Sequence, residues 1–210
     1  MLIPVLLFIV GLLFLIKGGD WFVDGASALA RRFHLPELLI GATVVSIGTT
    51  LPEVMVSTMS ALSGHGEIAY GNAIGSVICN AALIAQALGV PESVIALTFV
   101  ALGTSLPELV TAITSLIKGH SDLSLGNVVG ANVFNLVLVS GVSVTLAPFT
   151  VPQSATIFGM NSSLVLELPV MLAVMVLLTA PALLKGKLSR AQGVALLVIY
   201  AVFCGIQFTL

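Results

Sequence analysis

Apolar residues fill this chain in long blocks, interrupted only by short polar connections such as RRFHLPE, SGHGE, KGHSD and KGKLSR. Each block is long enough for a bilayer-spanning helix, which needs roughly 20 apolar residues. Seven spans are predicted, at about 2–30, 37–62, 70–88, 91–117, 124–147, 164–184 and 190–208. A longer connection, PFTVPQSATIFGMNSS, separates the fifth from the sixth. The first block carries no positive charge ahead of its apolar run, and Lys17 comes only after it. It therefore reads as a membrane helix rather than a cleaved signal. Trp21 beside Lys17 is expected to anchor that helix at the lipid interface.

The pattern repeats. Sliding the sequence by 55 positions places Pro36-Glu37 on Pro91-Glu92, Gly48-Thr49 on Gly103-Thr104, and Leu51-Pro52-Glu53 on Leu106-Pro107-Glu108. Gly71-Asn72, Gly75 and Asn80 fall on Gly126-Asn127, Gly130 and Asn135. Each unit is a helix bearing G-T-[TS]-L-P-E, a short loop, and a helix opening with G-N-x-x-G. Four segments follow: residues 1–35 (first helix and loop), 36–90 (first repeat), 91–147 (second repeat) and 148–210 (two C-terminal helices).

Composition confirms the solvent. Of 210 residues, 58% are hydrophobic and 8% charged, against about 25% charged in soluble domains. Mean hydropathy is +1.19. The expectation is an all-α integral membrane protein, multi-pass in a cell or inner membrane, with the lipid bilayer as its surroundings. The net charge of −2 comes without any basic patch, so nucleic acid is not an expected partner. Cys79 and Cys204 sit in apolar runs and read as packed thiols. No Ser/His/Asp set or HExxH motif is present, so an enzyme is not expected and no cofactor is implied.

Glu53 and Glu108 carry the chemistry. A carboxylate at the bilayer centre costs roughly 2.5–3.5 kcal/mol on insertion scales, and here it occurs twice in one motif. Thr49 lies four residues before Glu53 and shares its helical face. Pro52 lacks an N–H and its ring opposes the carbonyl of Gly48, so a kink or break is expected that frees backbone oxygens. Pro107 and Gly103 repeat the device. Ser76 and Asn80 are again four apart, and Thr104, Glu108 and Asn135 supply the second unit. The set is all oxygen, which suits Ca²⁺ with its 6–8 flexible oxygen ligands, held at Glu53, Glu108, Thr49 and Thr104. Glycines 71, 75, 126 and 130 also fit close helix packing. Glu37 and Glu92 follow a proline at a helix start and read as macrodipole partners.

The doubled blocks GATVVSIGTTLPE…GNAIGSVICN and ALTFVALGTSLPE…GNVVGANVFN resemble the two α-repeats of the sodium/calcium exchanger family, within the cation/calcium antiporter superfamily. The resemblance implies an inverted-repeat fold and exchange of Ca²⁺ for Na⁺ by alternating access, H⁺ coupling remaining open. It implies cation-binding roles for Glu53 and Glu108, with Thr49, Thr50, Thr104, Ser105, Ser76 and Asn80 at ligand positions. Asn135 stands where some members carry Asp, which implies a two-carboxylate site and argues against potassium coupling. Ala131 stands where the first unit has Ser76, removing one oxygen.

Family members have ten helices in two inverted sets of five. Here the third helix runs directly into AQALGVPE, which matches the end of the family's sixth helix. The fourth, fifth and most of the sixth helix are missing, with a seam near residues 83–86. One helix then separates the two GT[TS]LPE helices, so counting makes them parallel, whereas an inverted-repeat site needs them antiparallel. The same count sets the basic loops RRFH and KGHSD on opposite sides, against the positive-inside rule. The alternative to a working antiporter is a truncated or split remnant that needs a homo-oligomer or a partner supplying the missing fragment.

Overall fold

With no water in the hydrocarbon layer, each apolar run satisfies its own backbone by closing i→i−4 hydrogen bonds, and helices result. The computed structural model describes residues 2–87, 105–151, 156–185 and 189–207. Its helices are α1 (Leu2–Phe33), α2 (Glu37–Leu62), α3 (Gly66–Ala87), α4 (Leu106–Ile117), α5 (Ser121–Leu146), α6 (π segment Ser163–Glu167 continuing as Leu168–Lys185) and α7 (Arg190–Gln207). Among the described residues, α1, α2, α5 and the Ser163–Pro181 part of α6 are long and apolar enough to cross a membrane. The predicted 91–117 span is described only from Ser105 onward, and α3 starts at Gly66 rather than near 70.

Two details were not expected. A two-stranded hairpin, Thr156–Ile157 with Met160–Asn161, occupies the connection after α5. Its turn residues Phe158 and Gly159 have φ of 52° and 78°, as a two-residue hairpin turn requires. The long helices also contain π segments, Gly41–Val45 in α2 and Asn135–Val139 in α5. Such widened turns collect at functional sites.

Most of α1 faces outward, with Leu7 and Trp21 each about two-thirds exposed and Phe14 three-quarters. A patch of that size on a soluble protein would drive association; on a membrane helix it is the lipid surface. One apolar core joins α1, α2 and α5 through Val23, Ala26, Ile40, Val45 and Leu123. A second joins α3 to α7 through Ile78, Leu109, Val128, Val174 and Leu196.

The contacts fix helix directions. α4 and α5 form a hairpin, with Ser124 Oγ donating to Ala112 O at 3.2 Å and Asn127 Nδ2 to Thr111 Oγ1 at 2.9 Å. α2 and α5 start together, where His120 Nδ1 meets Glu37 Oε1 at 2.8 Å. They then run side by side: Gly41 packs on the Leu123 carbonyl, Gly126 on the Leu38 carbonyl, and Gly130 on Ala42 and Ser46. α2 is thus parallel to α5, α5 is antiparallel to α4, and the two GT[TS]LPE helices run in opposite directions.

This corrects the parallel arrangement obtained by counting. The count took one crossing for each apolar run between the motifs, but direction is set by glycine-mediated packing of α5 on α2. Residues 88–104, through which the count passes, lie outside the described residues. The loops carrying Arg31-Arg32 and Lys118 consequently sit at one end, as the positive-inside rule asks. The α2–α3 turn lies at the other end with Phe149, which packs on Gly66.

Candidate cation site

Helix α2 carries Thr49, Thr50 and Glu53 into the interior. Of the kink or break expected at Pro52, the break is absent, because α-helical geometry runs unbroken over Ser46–Leu62. The irregular backbone lies earlier, at Gly41–Val45. A proline removes a single N–H, here the one that would reach the Gly48 carbonyl, and a continuous helix tolerates that loss when its neighbours pack tightly. Phe22 of α1 supplies the packing: a Cβ on Gly48 would lie 2.6 Å from its ring. In the second unit Pro107 sits in the first described turn of α4, behind Ser105, and Glu108 is in that same turn. A helix N-terminus favours a carboxylate there. Gly103 and Thr104 lie outside the described residues.

Both carboxylates are fully enclosed, Glu53 at 1% exposure and Glu108 at 0%. Thr50 Oγ1 donates to Glu108 Oε1 at 3.3 Å, which links the two repeats across the site. Glu53, Pro52, Leu106 and Pro107 line one cavity of about 270 Å³, so the two motifs face the same space. Among the described residues no ion pair reaches either carboxylate. Glu108 Oε2 and both carboxylate oxygens of Glu53 have no hydrogen-bond donor among the described residues.

The remaining predicted residues are buried in the same interior. Ser76 and Asn80 project from α3, and Asn135 opens the π segment of α5, which packs against both α2 and α3. Ser105 lies beside Cys79 of α3. The side-chain oxygens of Ser76, Asn80 and Asn135 lack hydrogen-bond partners among the described residues. An unsatisfied buried polar group costs about 1–3 kcal/mol, more when charged. So many in one place are tolerable only where something else completes them. The set consists of carboxylate, hydroxyl and amide oxygens, and among the described residues no cluster of three or more His, Cys, Asp or Glu exists. Such a donor set suits a hard cation and not a zinc-type site.

The sequence reading passed over Asn72 and Asn127. Asn72 Nδ2 donates to Ser57 Oγ at 2.9 Å and to Glu53 O at 3.3 Å. Asn127 binds Thr111 and Thr49. The signal was available, since both asparagines match at the offset of 55, but the surrounding glycines drew the reading toward packing. That packing role holds for Gly126 and Gly130, where an added Cβ would meet the α2 backbone.

At the end of the bundle where α2 and α5 begin, Lys118 bridges α4 to α1, with Nζ 2.5 Å from Asp20 and 2.6 Å from Asp24. These carboxylates hold its ammonium above the ordinary lysine value. Lys17 also pairs with Asp20, at 2.7 Å, and lies over the Trp21 ring.

The fold is that of a known exchanger. The structure of the sodium/calcium exchanger from Methanococcus jannaschii superposes with a TM-score of 0.77 at 22% identity, covering 96% of this chain and 98% of that one. In sequence, a putative antiporter, CaxA of Alkalimonas amylolytica, is 26% identical over 324 aligned positions, taking in 100% of this chain and 99% of its own. The sodium/calcium exchanger MaX1 of Methanosarcina acetivorans is 22% identical over 350 positions, 97% of this chain and 98% of its own. Both alignments are far longer than the 210 residues present here, so a large internal stretch of each relative has no counterpart. The family model described as sodium/calcium exchanger protein matches twice, over residues 3–85 and 81–209. The two matches meet where the third helix runs into the sequence that resembles the end of the family's sixth. The repeats, the antiparallel motif helices and both matches agree: this multi-pass membrane chain belongs to the sodium/calcium exchanger family.

Proposed function

We propose that the chain exchanges Ca²⁺ for Na⁺ at one midplane site shared by the two repeats. The observation that carries this reading is the pair of enclosed carboxylates, Glu53 and Glu108, with three oxygens that no group among the described residues satisfies. Two carboxylates balance one divalent cation. Thr49, Thr50, Ser76, Asn80, Ser105 and Asn135 bring the neutral oxygens that Ca²⁺ requires beyond them, and Thr104 belongs to the same set by its place in the motif. Na⁺ uses the same oxygens in turn. Oppositely directed repeats around a central site are the build that lets one side open as the other closes. No cofactor takes part; the ions are the cargo.

The test is reconstitution of the purified chain in Na⁺-loaded vesicles. Ca²⁺ uptake that requires the outward Na⁺ gradient supports the reading. Uptake indifferent to Na⁺ but driven by a pH gradient replaces Na⁺ with H⁺.

A second reading rests on the length of the alignments. A chain that bridges so much of its relatives matches a split or shortened exchanger, active only as a homo-oligomer or beside a partner that supplies the missing helices. Flux that rises with the square of protein density in the vesicles, or that appears only on adding such a fragment, selects this reading.

A further inference from the structure

A hydroxyl serves a cation well only if its proton points elsewhere. Thr49 has two acceptors for that proton besides the neighbouring Glu108 carboxylate: Asn127 Oδ1 at 3.1 Å and Ser46 O at 3.3 Å. Asn127 belongs to the opposite repeat and is itself held. Its Nδ2 donates to Thr111 Oγ1 at 2.9 Å. Thr111 in turn spends its own proton on the carbonyls of Pro107, at 2.8 Å, and Glu108, at 3.0 Å. Because the Thr111 proton is committed, its oxygen can only accept. The Asn127 amide therefore has one sensible orientation, nitrogen toward Thr111 and oxygen toward Thr49. All three side chains are buried, at 3%, 1% and 4% exposure for Thr49, Asn127 and Thr111.

We propose that Asn127 is a positioning residue: it locks the Thr49 hydroxyl with its proton turned outward, so that Thr49 meets the cation with lone pairs alone. The relay begins at the backbone of Glu108 and ends at a ligand of the other repeat. It sets the spacing of the two halves of the site as well as the polarity of one ligand. Asn72, the matching residue of the first repeat, grips the Glu53 carbonyl and Ser57 directly. The two asparagines thus do the same work on their own carboxylate helices, and only Asn127 is seen to reach across.

The inference rests on the proposed cation site, and its test separates the two. Equilibrium Ca²⁺ binding is measured on the purified full chain in detergent for Thr49→Ala, Asn127→Leu and the double variant. Asn127→Leu is expected to weaken Ca²⁺ binding about tenfold. In the Thr49→Ala background it is expected to add less than about twofold, because the ligand it orients is gone. Thr111→Val keeps Asn127 but frees its amide to turn, and should weaken binding in the same direction by a smaller factor. It also serves if Asn127→Leu does not fold. Full additivity of Asn127→Leu with Thr49→Ala, or unchanged binding in Thr111→Val, overturns the relay while leaving the site in place. Unchanged binding in Glu53→Gln overturns the site itself.

Discussion

Replacing Glu53 with glutamine removes one charge from the interior while keeping shape and volume. Glu53 is 1% exposed and its carboxylate has no partner among the described residues, so no hydrogen bond seen there is lost. A unit charge pair 4 Å apart is worth about 1 kcal/mol in bulk water and about 4 kcal/mol at an effective dielectric of 20. For a divalent ion those figures double, to about 2 and about 8 kcal/mol. The aqueous figure is a floor for so enclosed a group. At about 1.4 kcal/mol per factor of ten, Glu53→Gln should weaken Ca²⁺ binding by at least about twenty-fivefold. Stability of the ion-free protein should not fall, since a buried charge is removed. Isothermal titration gives the affinity, and thermal unfolding of the same preparation gives the stability. Binding within about threefold of the unaltered protein, with an unchanged melting temperature, would refute the assignment of Glu53 as a ligand.

Four further outcomes are expected. Gly126→Ala places a Cβ against the Leu38 carbonyl and should destabilise the α2–α5 contact by about 1–3 kcal/mol; Gly25→Ala, with open space around it, is the control in the same thermal assay. The ion pairs of Lys118 raise its pKa above 10.5, so their contribution is complete below that pH and disappears as pH climbs past the raised value. Lys118→Met should therefore lower the melting temperature at neutral pH and flatten its decline as pH rises above 10.5. Ala131→Ser adds a hydroxyl at a fully buried position and should strengthen Na⁺ competition against Ca²⁺; unchanged competition means that the position is no ligand. In a Cys79→Ala/Cys204→Ala background, cysteines at Phe33 and Ser121 should react from one side of the membrane and a cysteine at Ser63 from the other, and labelling of Ser63 and Ser121 from the same side would reinstate the parallel arrangement.

Much of the fold was legible because lipid simplifies the code. Long apolar runs became helices, the offset of 55 exposed both repeats, and a carboxylate twice beside proline in such surroundings marked Glu53 and Glu108. Direction was not legible. The glycines that lay α5 along α2 are visible in sequence, but nothing local says which helix they meet. Counting crossings substituted for that knowledge and failed. The π segments at Gly41–Val45 and Asn135–Val139 leave no mark either, since one extra residue in a turn barely disturbs an apolar stripe on a helix that is apolar all round. Pro52 misled for a related reason: its missing hydrogen bond is certain, but whether a helix breaks there depends on neighbours such as Phe22. The hairpin at Thr156–Asn161 turns on Phe158-Gly159, a pair without the usual Asn or Asp. Asn72 and Asn127 were visible as repeated polar residues, yet their partners Ser57, Thr111 and Thr49 are brought to them only by packing.

The central claim is that two oppositely directed repeats build one site, and the stoichiometry of Ca²⁺ binding tests it most directly. Titration of the purified chain should give one Ca²⁺ per chain (or per functional unit, if chains associate), displaced competitively by Na⁺ and lost in both Glu53→Gln and Glu108→Gln. Two independent Ca²⁺ sites, each abolished by only one of the two substitutions, would contradict it.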